Sequence, residues 1–204
     1  MTGHTLTEEE GIAFGLEIMK YLDNFKKRAA EETGILFGNY GTPSESTAGW
    51  FSKKLQEQFG DIEGITDKGY LINSYHIDIK EPVNAFDKLL IEQQFAQYSL
   101  GGTITYIELA GNMNKNIPAV IQLIQFMYEN NIYAEINTRS DKCSTCGYEG
   151  EALIDTNTLT WYCPQCGERD KAKLSVVRRT CGYLGDNNWG TSRTLDIINR
   201  VVHL

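Results

Sequence analysis

The stretch TITYIELAGNMNKNIPAVIQLIQFMYENNIYAEI, Thr103 to Ile136, sets an alternating apolar segment, a helical segment and a second apolar segment in succession. Thr103 to Leu109 places Ile104 and Tyr106 against Ile107 and Leu109 with an imperfect period of two, and Ile132 to Ile136 is short and apolar, so both read as strands. Ile117 to Asn130 reads as the helix between them. Strands that alternate with helices imply a parallel sheet, open or closed.

The same order runs upstream. Thr7 to Thr33 reads as a helix, with Thr7 and Glu10 at capping-box spacing, Ile18, Leu22 and Phe25 on one face, and Gly34 as its stop. Ile35, Leu36 and Phe37 read as a short buried strand. Thr42, Pro43 and Glu45 then announce a helix through Phe51, Leu55 and Phe59 to Gly60. Leu71 to Ile79 alternates like a strand, and Pro82 to Gln97 is helical. The predicted class is therefore α/β. At Asn137 the character changes: Thr138 to Gly167 is polar and punctuated by cysteine, with a hairpin of Ala152 to Ile154 against Leu159 to Tyr162. Leu174 to Val177 reads as a short strand, Arg178 to Gly190 as a loop rich in Gly and Asn, and Thr194 to Val202 as a closing helix. Three units are expected, residues 1–137, 138–170 and 171–204.

Composition bounds the function. The 204 residues, 41% apolar, can bury a real core. No run of eighteen apolar residues exists, and Met1 to Glu10 carries acids where a secretory signal has a basic and then an apolar region. The expected compartment is the cytoplasm, with no membrane partner. A net charge of -8 argues against long duplex nucleic acid, whose phosphates need clustered Lys and Arg.

All five cysteines fall between Cys143 and Cys181. In a chain of this kind such clustering points to metal or redox chemistry and not to a disulfide framework. Cys143 and Cys146 form one C-x-x-C pair and Cys163 and Cys166 a second, with sixteen residues between the pairs, the spacing of a four-cysteine zinc site. Gly147 and Gly167 follow the pairs and suit tight knuckle turns. Four thiolates leave no open coordination position, so the predicted zinc is structural. The competing reading is a pair of redox dithiols, but neither pair opens a helix after a strand.

Two loops carry the rest. Asn39 to Thr47 leads into a helix with Thr42 as N-cap, Pro43 at its first position and Glu45 at its third, with hydroxyls from Ser44, Ser46 and Thr47. Such a start either holds phosphate on its free N–H groups or is simply a well-capped helix. Arg178-Arg179-Thr180-Cys181-Gly182-Tyr183-Leu184-Gly185 is, by itself, a loop with turn glycines.

In order, an α/β segment, a four-cysteine module and an R-T-C-G-Y-L-G string near the chain end resemble the C-terminal part of the anaerobic (class III) ribonucleotide reductases, a glycyl radical enzyme family. The resemblance covers about Thr7 to Leu204, and Tyr70 to Lys80 and Leu100 to Thr103 also fit it. It implies the C-terminal half of a ten-stranded α/β barrel, with a small zinc ribbon and a C-terminal radical loop in which Gly182 carries the radical. Glycine suits that role, because loss of an α-hydrogen leaves a planar carbon conjugated with amide groups on both sides, a plane any side chain would crowd. The string Y-x-T-P-x-E-S implies that Tyr40, Thr42, Pro43, Ser44, Glu45 and Ser46 line the substrate site, with Tyr40 near the ribose and the helix start near the phosphates. Cys181, beside Gly182, reads as a packing residue rather than a catalytic thiol, His76 reads as a hydrogen-bonded structural histidine with a proton shuttle as its alternative, and Arg200 to His203 is expected to pack as helix.

The family's enzymes are much longer. Their thiyl cysteine lies upstream, and this chain has no cysteine before Cys143. The implied activity is reduction of ribonucleotides to deoxyribonucleotides for DNA replication, with an N-terminal portion supplying the thiyl cysteine and formate as reductant. An activase would carry the iron-sulfur cluster and use S-adenosylmethionine. The assembled enzyme is expected to be a dimer. A split subunit, a fragment and a spare part that repairs a damaged reductase are the three ways to read the short length, the split subunit first. The alternative from another class is a non-catalytic zinc-ribbon protein that binds a partner chain.

Overall fold

The structure is a computed structural model and describes residues 3–41, 45–72, 74–111, 113–130, 132–179, 184–186 and 189–203; for residues 45, 46, 114, 179 and 184–186 it describes the backbone element only. The first helix, α1, spans Glu9–Thr33 and ends at Gly34, which is left-handed and gives its N–H to the Ala30 carbonyl. Its N-cap is Glu8 and not Thr7, with no side-chain cap. Thr7 instead turns its hydroxyl to Glu81 at 3.3 Å, a tertiary partner that competes with the local box. Helix α2 spans Glu45–Phe59 and α3 spans Ala85–Ala96. Asn84 caps α3 by accepting the Asp87 N–H, which sets the start three residues later than expected.

The strand-helix-strand reading is realised. Strand β1, Thr105–Leu109, and strand β2, Ala134–Thr138, pair in parallel with Ile107 opposite Ile136, and α4, Ile117–Glu129, crosses between them. Ala85, Leu89, Ile107, Leu109, Leu123 and Met127 form one core from α3, β1 and α4. Such burial stabilises each large side chain by about 1.5–3 kcal/mol relative to exposure.

Two expected strands are not strands. Ile35 to Phe37 makes no ladder among the described residues, and Leu36 is 94% exposed. A strand buried on both faces needs neighbours, but Ile35 gives its N–H to the Thr33 hydroxyl at 3.2 Å, and the bonds to another segment come only beyond Phe37, Gly101 N–H to Asn39 and Gly41 N–H to Gly102. Leu71 to Ile79 is bent and turned, with Ser74 at positive φ. Side chains and the tail take its backbone bonds: Ile77 donates to the Glu92 carboxylate, and the Ile79 carbonyl accepts from Val201.

The cysteine-bearing part is a set of short antiparallel strands. Asp141–Cys143 (β3) pairs with Glu149–Gly150 (β4), and Leu153–Asp155 (β5) pairs with Thr160–Tyr162 (β6), the hairpin expected from sequence. Leu174–Ser175 (β7) returns to β3. Cys143, Ala152, Trp161, Cys163, Leu174, Val176 and Ile197 form a second core.

The loop expected over Arg178 to Gly190 is corrected in part. Val177–Arg179 (β8) pairs antiparallel with Leu184–Asp186 (β9), because backbone ladder bonds offer both arms partners that sequence pattern does not reveal. The closing helix α5 is Thr191–Asn199, which begins and ends three residues earlier than expected. Arg200 to His203 is extended and not helical, since its backbone is claimed elsewhere: Val201 N–H by Ile79, His203 N–H by Glu108, and the His203 carbonyl by Ala85 N–H. No helix of the described residues is long and apolar enough to cross a membrane.

Candidate functional site

The four paired cysteines converge. Cys143 is delivered by the end of β3, and Cys163 directly follows β6. Each pair then closes the same knuckle, with Gly147 N–H on the Cys143 carbonyl and Gly167 N–H on the Cys163 carbonyl, both at 2.9 Å. Gly147 and Gly167 lie at φ 74° and 76°, a conformation that a side chain would strain, so glycine after each C-x-x-C is a backbone requirement. Thr145 of one knuckle donates to Glu168 of the other at 2.7 Å.

The sulfurs are 3.7 Å apart for Cys143 and Cys166 and 3.6 Å for Cys146 and Cys163, and all ligand atoms lie within 4.8 Å of one another. A disulfide needs about 2.05 Å, so these are free thiols. A tetrahedron with about 2.3 Å metal–sulfur bonds has edges of about 3.8 Å, close to what is seen. Electrostatics agree with that donor set. Burial raises Cys143, but the N–H groups of Cys146 and Thr145 outweigh it and bring the thiol to about 7. The Glu168 N–H lowers Cys166, yet desolvation and the three neighbouring thiols push it up to about 12. Four thiols this close oppose one another's ionisation, and a divalent cation is what lets all of them ionise. The cluster could hold a metal ion.

Of the expected substrate loop, Tyr40 is 60% exposed and borders a cleft of about 610 Å³ that Gly41, Thr47 and Phe51 also line. Glu45 and Ser46 open α2. Thr42, Pro43 and Ser44 lie outside the described residues, as do Cys181 and Gly182, and no side-chain geometry is described for Glu45 or Ser46. The segment Thr180 to Tyr183 falls in sequence between β8 and β9. Those arms arise from the same body as the cysteine knuckles, since Val176, next to β8, is in the core with Cys143 and Cys163.

Sequence reading missed three buried charge groups. Glu92 is fully buried and is held by Lys88, one helical turn away, and by His76 at 3.0 Å. Burial alone would raise its carboxyl, but the charges of Lys88 and His76 hold it well below the usual range. His76 is thus hydrogen-bonded inside the fold, as expected. Glu108, near the end of β1, accepts from Asn137 at 2.7 Å and Arg200 at 3.0 Å, while Asp196 of α5 pairs with Arg193 and Arg200. Asp141 and Arg178 form the third group, both almost fully buried. The spacing of Lys88 and Glu92 was a visible signal, but it reads as a surface ion pair until α3 is known to be covered. His203 sits between the first two groups, and its Nδ1 accepts the Glu108 N–H at 2.8 Å, which fixes a neutral ring. Burial lowers its pKa to about 4, with Lys88 and Arg200 adding to the effect.

Comparison with known proteins follows this geometry. The sequence model of the family described as anaerobic ribonucleoside-triphosphate reductase matches residues 1–203. The chain is 37% identical over 205 residues to the anaerobic ribonucleoside-triphosphate reductase of Haemophilus influenzae, covering 99% of this chain and 29% of that protein. It is 35% identical to the Escherichia coli protein of that name, covering 98% of this chain and 28% of that one, and 33% identical to that of Enterobacteria phage T4, covering 98% and 33%. It therefore spans no more than about a third of the length of these curated relatives. Among solved structures, an anaerobic ribonucleotide reductase matches with a TM-score of 0.67 at 18% identity, over 95% of this chain and 29% of that one. The Thermotoga maritima enzyme with MES in the active site matches at 0.63 and 19%, over 87% and 27%. These structures share the fold, and the match over the whole sequence shows that the chain belongs to the anaerobic ribonucleoside-triphosphate reductase family.

Proposed function

We propose that this chain is the C-terminal, radical-bearing portion of an anaerobic ribonucleotide reductase, and that it reduces ribonucleotides together with an N-terminal portion that supplies the thiyl cysteine. The observation that carries this reading is the placement of β8 and β9. Strand β8 follows directly on Val176 of the four-thiol core and pairs with β9, and Thr180 to Tyr183 of the R-T-C-G-Y string fall in sequence between the two. In this reading Cys143, Cys146, Cys163 and Cys166 hold a structural zinc ion. The zinc supplies rigidity and no open coordination position, so it takes no part in the chemistry. Gly182 loses its α-hydrogen to an S-adenosylmethionine-dependent activase that carries the iron-sulfur cluster, and it stores the unpaired electron.

Tyr40, Thr42, Pro43, Ser44, Glu45 and Ser46 are assigned to the substrate. Tyr40 reaches the sugar and the start of α2 receives the phosphates, since helix N-termini present free N–H groups to anions. The parallel β1–β2 pair with its crossover helix is assigned to half of the ten-stranded barrel, with formate as reductant, a dimer as the assembled form and the cytoplasm as its place. The zinc-ribbon alternative is less favoured, because the family match extends over the α/β part as well as the cysteines.

Electron paramagnetic resonance after anaerobic activation tests the reading. The unsubstituted protein is expected to give a glycyl doublet and Gly182→Ala none. The same signal from both would remove Gly182 from the role. Exposure of the activated protein to air should cut the chain at that position into a long piece and a short one.

A further inference from the structure

What fixes β8 to the cysteine body is one buried carboxylate. Asp141 lies on β3, two residues before Cys143, and is 1% exposed. Its two oxygens take both terminal nitrogens of Arg178, one at 2.6 Å, and they also accept the N–H groups of Ala152 at 2.7 Å and Val177 at 3.4 Å. Arg178 is 3% exposed, lies over the Trp161 ring at 5.1 Å, and donates to the Val177 carbonyl at 3.0 Å. The carboxylate therefore touches both the residue before β5 and the first two residues of β8, while its own strand carries a metal-site cysteine.

Stability alone does not account for such a pair, because desolvating two ions costs about as much as their attraction returns, and apolar residues of similar volume often do as well. A planar guanidinium gripped at both ends by a carboxylate does something that apolar packing cannot. It accepts one orientation, so it sets register and direction. We propose that Asp141, acting through Arg178, is a positioning residue that registers β8 on the cysteine body, and that activation of Gly182, four residues further along the chain, depends on that register. The pair itself moves no proton or electron. This rests on the reading of Gly182 as the radical carrier.

The test uses the assembled reductase containing this chain, in three forms: unsubstituted, R178K, and the neutral pair D141N/R178Q, which leaves no unpaired buried charge to unfold the module. Zinc per chain and the glycyl doublet after anaerobic activation are measured together. Both variants are expected to keep one zinc per chain while the radical yield falls about tenfold, the size of one lost charge-assisted contact. Variants with full zinc and an unchanged doublet would overturn the positioning role while leaving the Gly182 reading intact. Loss of zinc from both variants would also overturn it, making Asp141 a part of the metal module's own fold. Absence of a doublet from the unsubstituted enzyme would instead remove the Gly182 reading, and the proposal with it.

Discussion

Each of the four thiols has a neighbour at about the edge of a metal tetrahedron, and none has the freedom to retreat, because two knuckles with glycine at positive φ hold the backbone. Cys143→Ser is therefore expected to release the metal and leave Cys146, Cys163 and Cys166 open to oxidation. Zinc content per chain checks this, and a variant that keeps one ion would show that Cys143 is not a ligand. His203 makes a second residue-scale prediction. Its pKa falls from 6.5 to about 4 in the fold, so below 6.5 the unfolded chain binds a proton that the folded chain does not. The histidine's contribution is complete above about pH 6.5 and is lost as pH falls toward 4. Urea unfolding between pH 7 and 4 should show that loss, with a shallower slope in His203→Asn; equal slopes would place the titrating group elsewhere. The C-x-x-C spacing made the convergence of the four cysteines readable from sequence, since each knuckle is a short fixed interval. Nothing local announced Asp141 or Glu108, whose partners lie 37 and 92 residues away.

At the scale of elements, the chain's local rules predicted what local forces decide. Helices α1 to α4 lie where apolar periodicity placed them, and β1 and β2 pair in parallel as a strand-helix-strand order requires. The failures are elements whose state depends on a neighbour. Ile35 to Phe37 has strand composition but no partner among the described residues, and Leu71 to Ile79 gives its backbone bonds to Glu92 and the tail. Arg178 to Gly190, read as loop, contains the paired arms β8 and β9. Helix α3 carries a testable consequence. Lys88 and Glu92 are buried together, so Lys88→Met leaves the carboxylate with only His76 and the Ile77 N–H among its described partners. A loss of about 3–5 kcal/mol in urea unfolding at neutral pH is expected, the usual result of breaking a buried pair from one side. A change under about 1 kcal/mol would mean that His76 suffices or that water reaches the site.

Over the whole molecule, two bodies meet along α5 and the chain end. Ile197 enters the core of the cysteine body, while Arg200 and His203 bind Glu108 at the edge of the β1–β2 sheet. The sheet side leaves much apolar surface open: Phe14, Ile18, Tyr21 and Phe25 of α1, with Ile35, Leu36 and Phe37 after it, are exposed. Surface of that kind marks an interface. The chain by itself is expected to self-associate, and an N-terminal reductase portion should return it to a defined complex; light scattering with and without that portion checks both. A stable monomer indifferent to the added portion would contradict the docking role.

Sequence by itself determined the α/β order, the set of four cysteines that converge and the family, because helix periodicity, knuckle spacing and a contiguous string are properties of neighbours along the chain. Only the tertiary structure decided which carboxylates are buried, that β8 and β9 pair, and that Arg200 to His203 lie extended with His203 bound to Glu108 of β1. Each of those depends on a partner brought from far along the chain, and burial converts an ordinary Asp or Glu, unremarked in sequence, into a group that must be paired and that therefore fixes position.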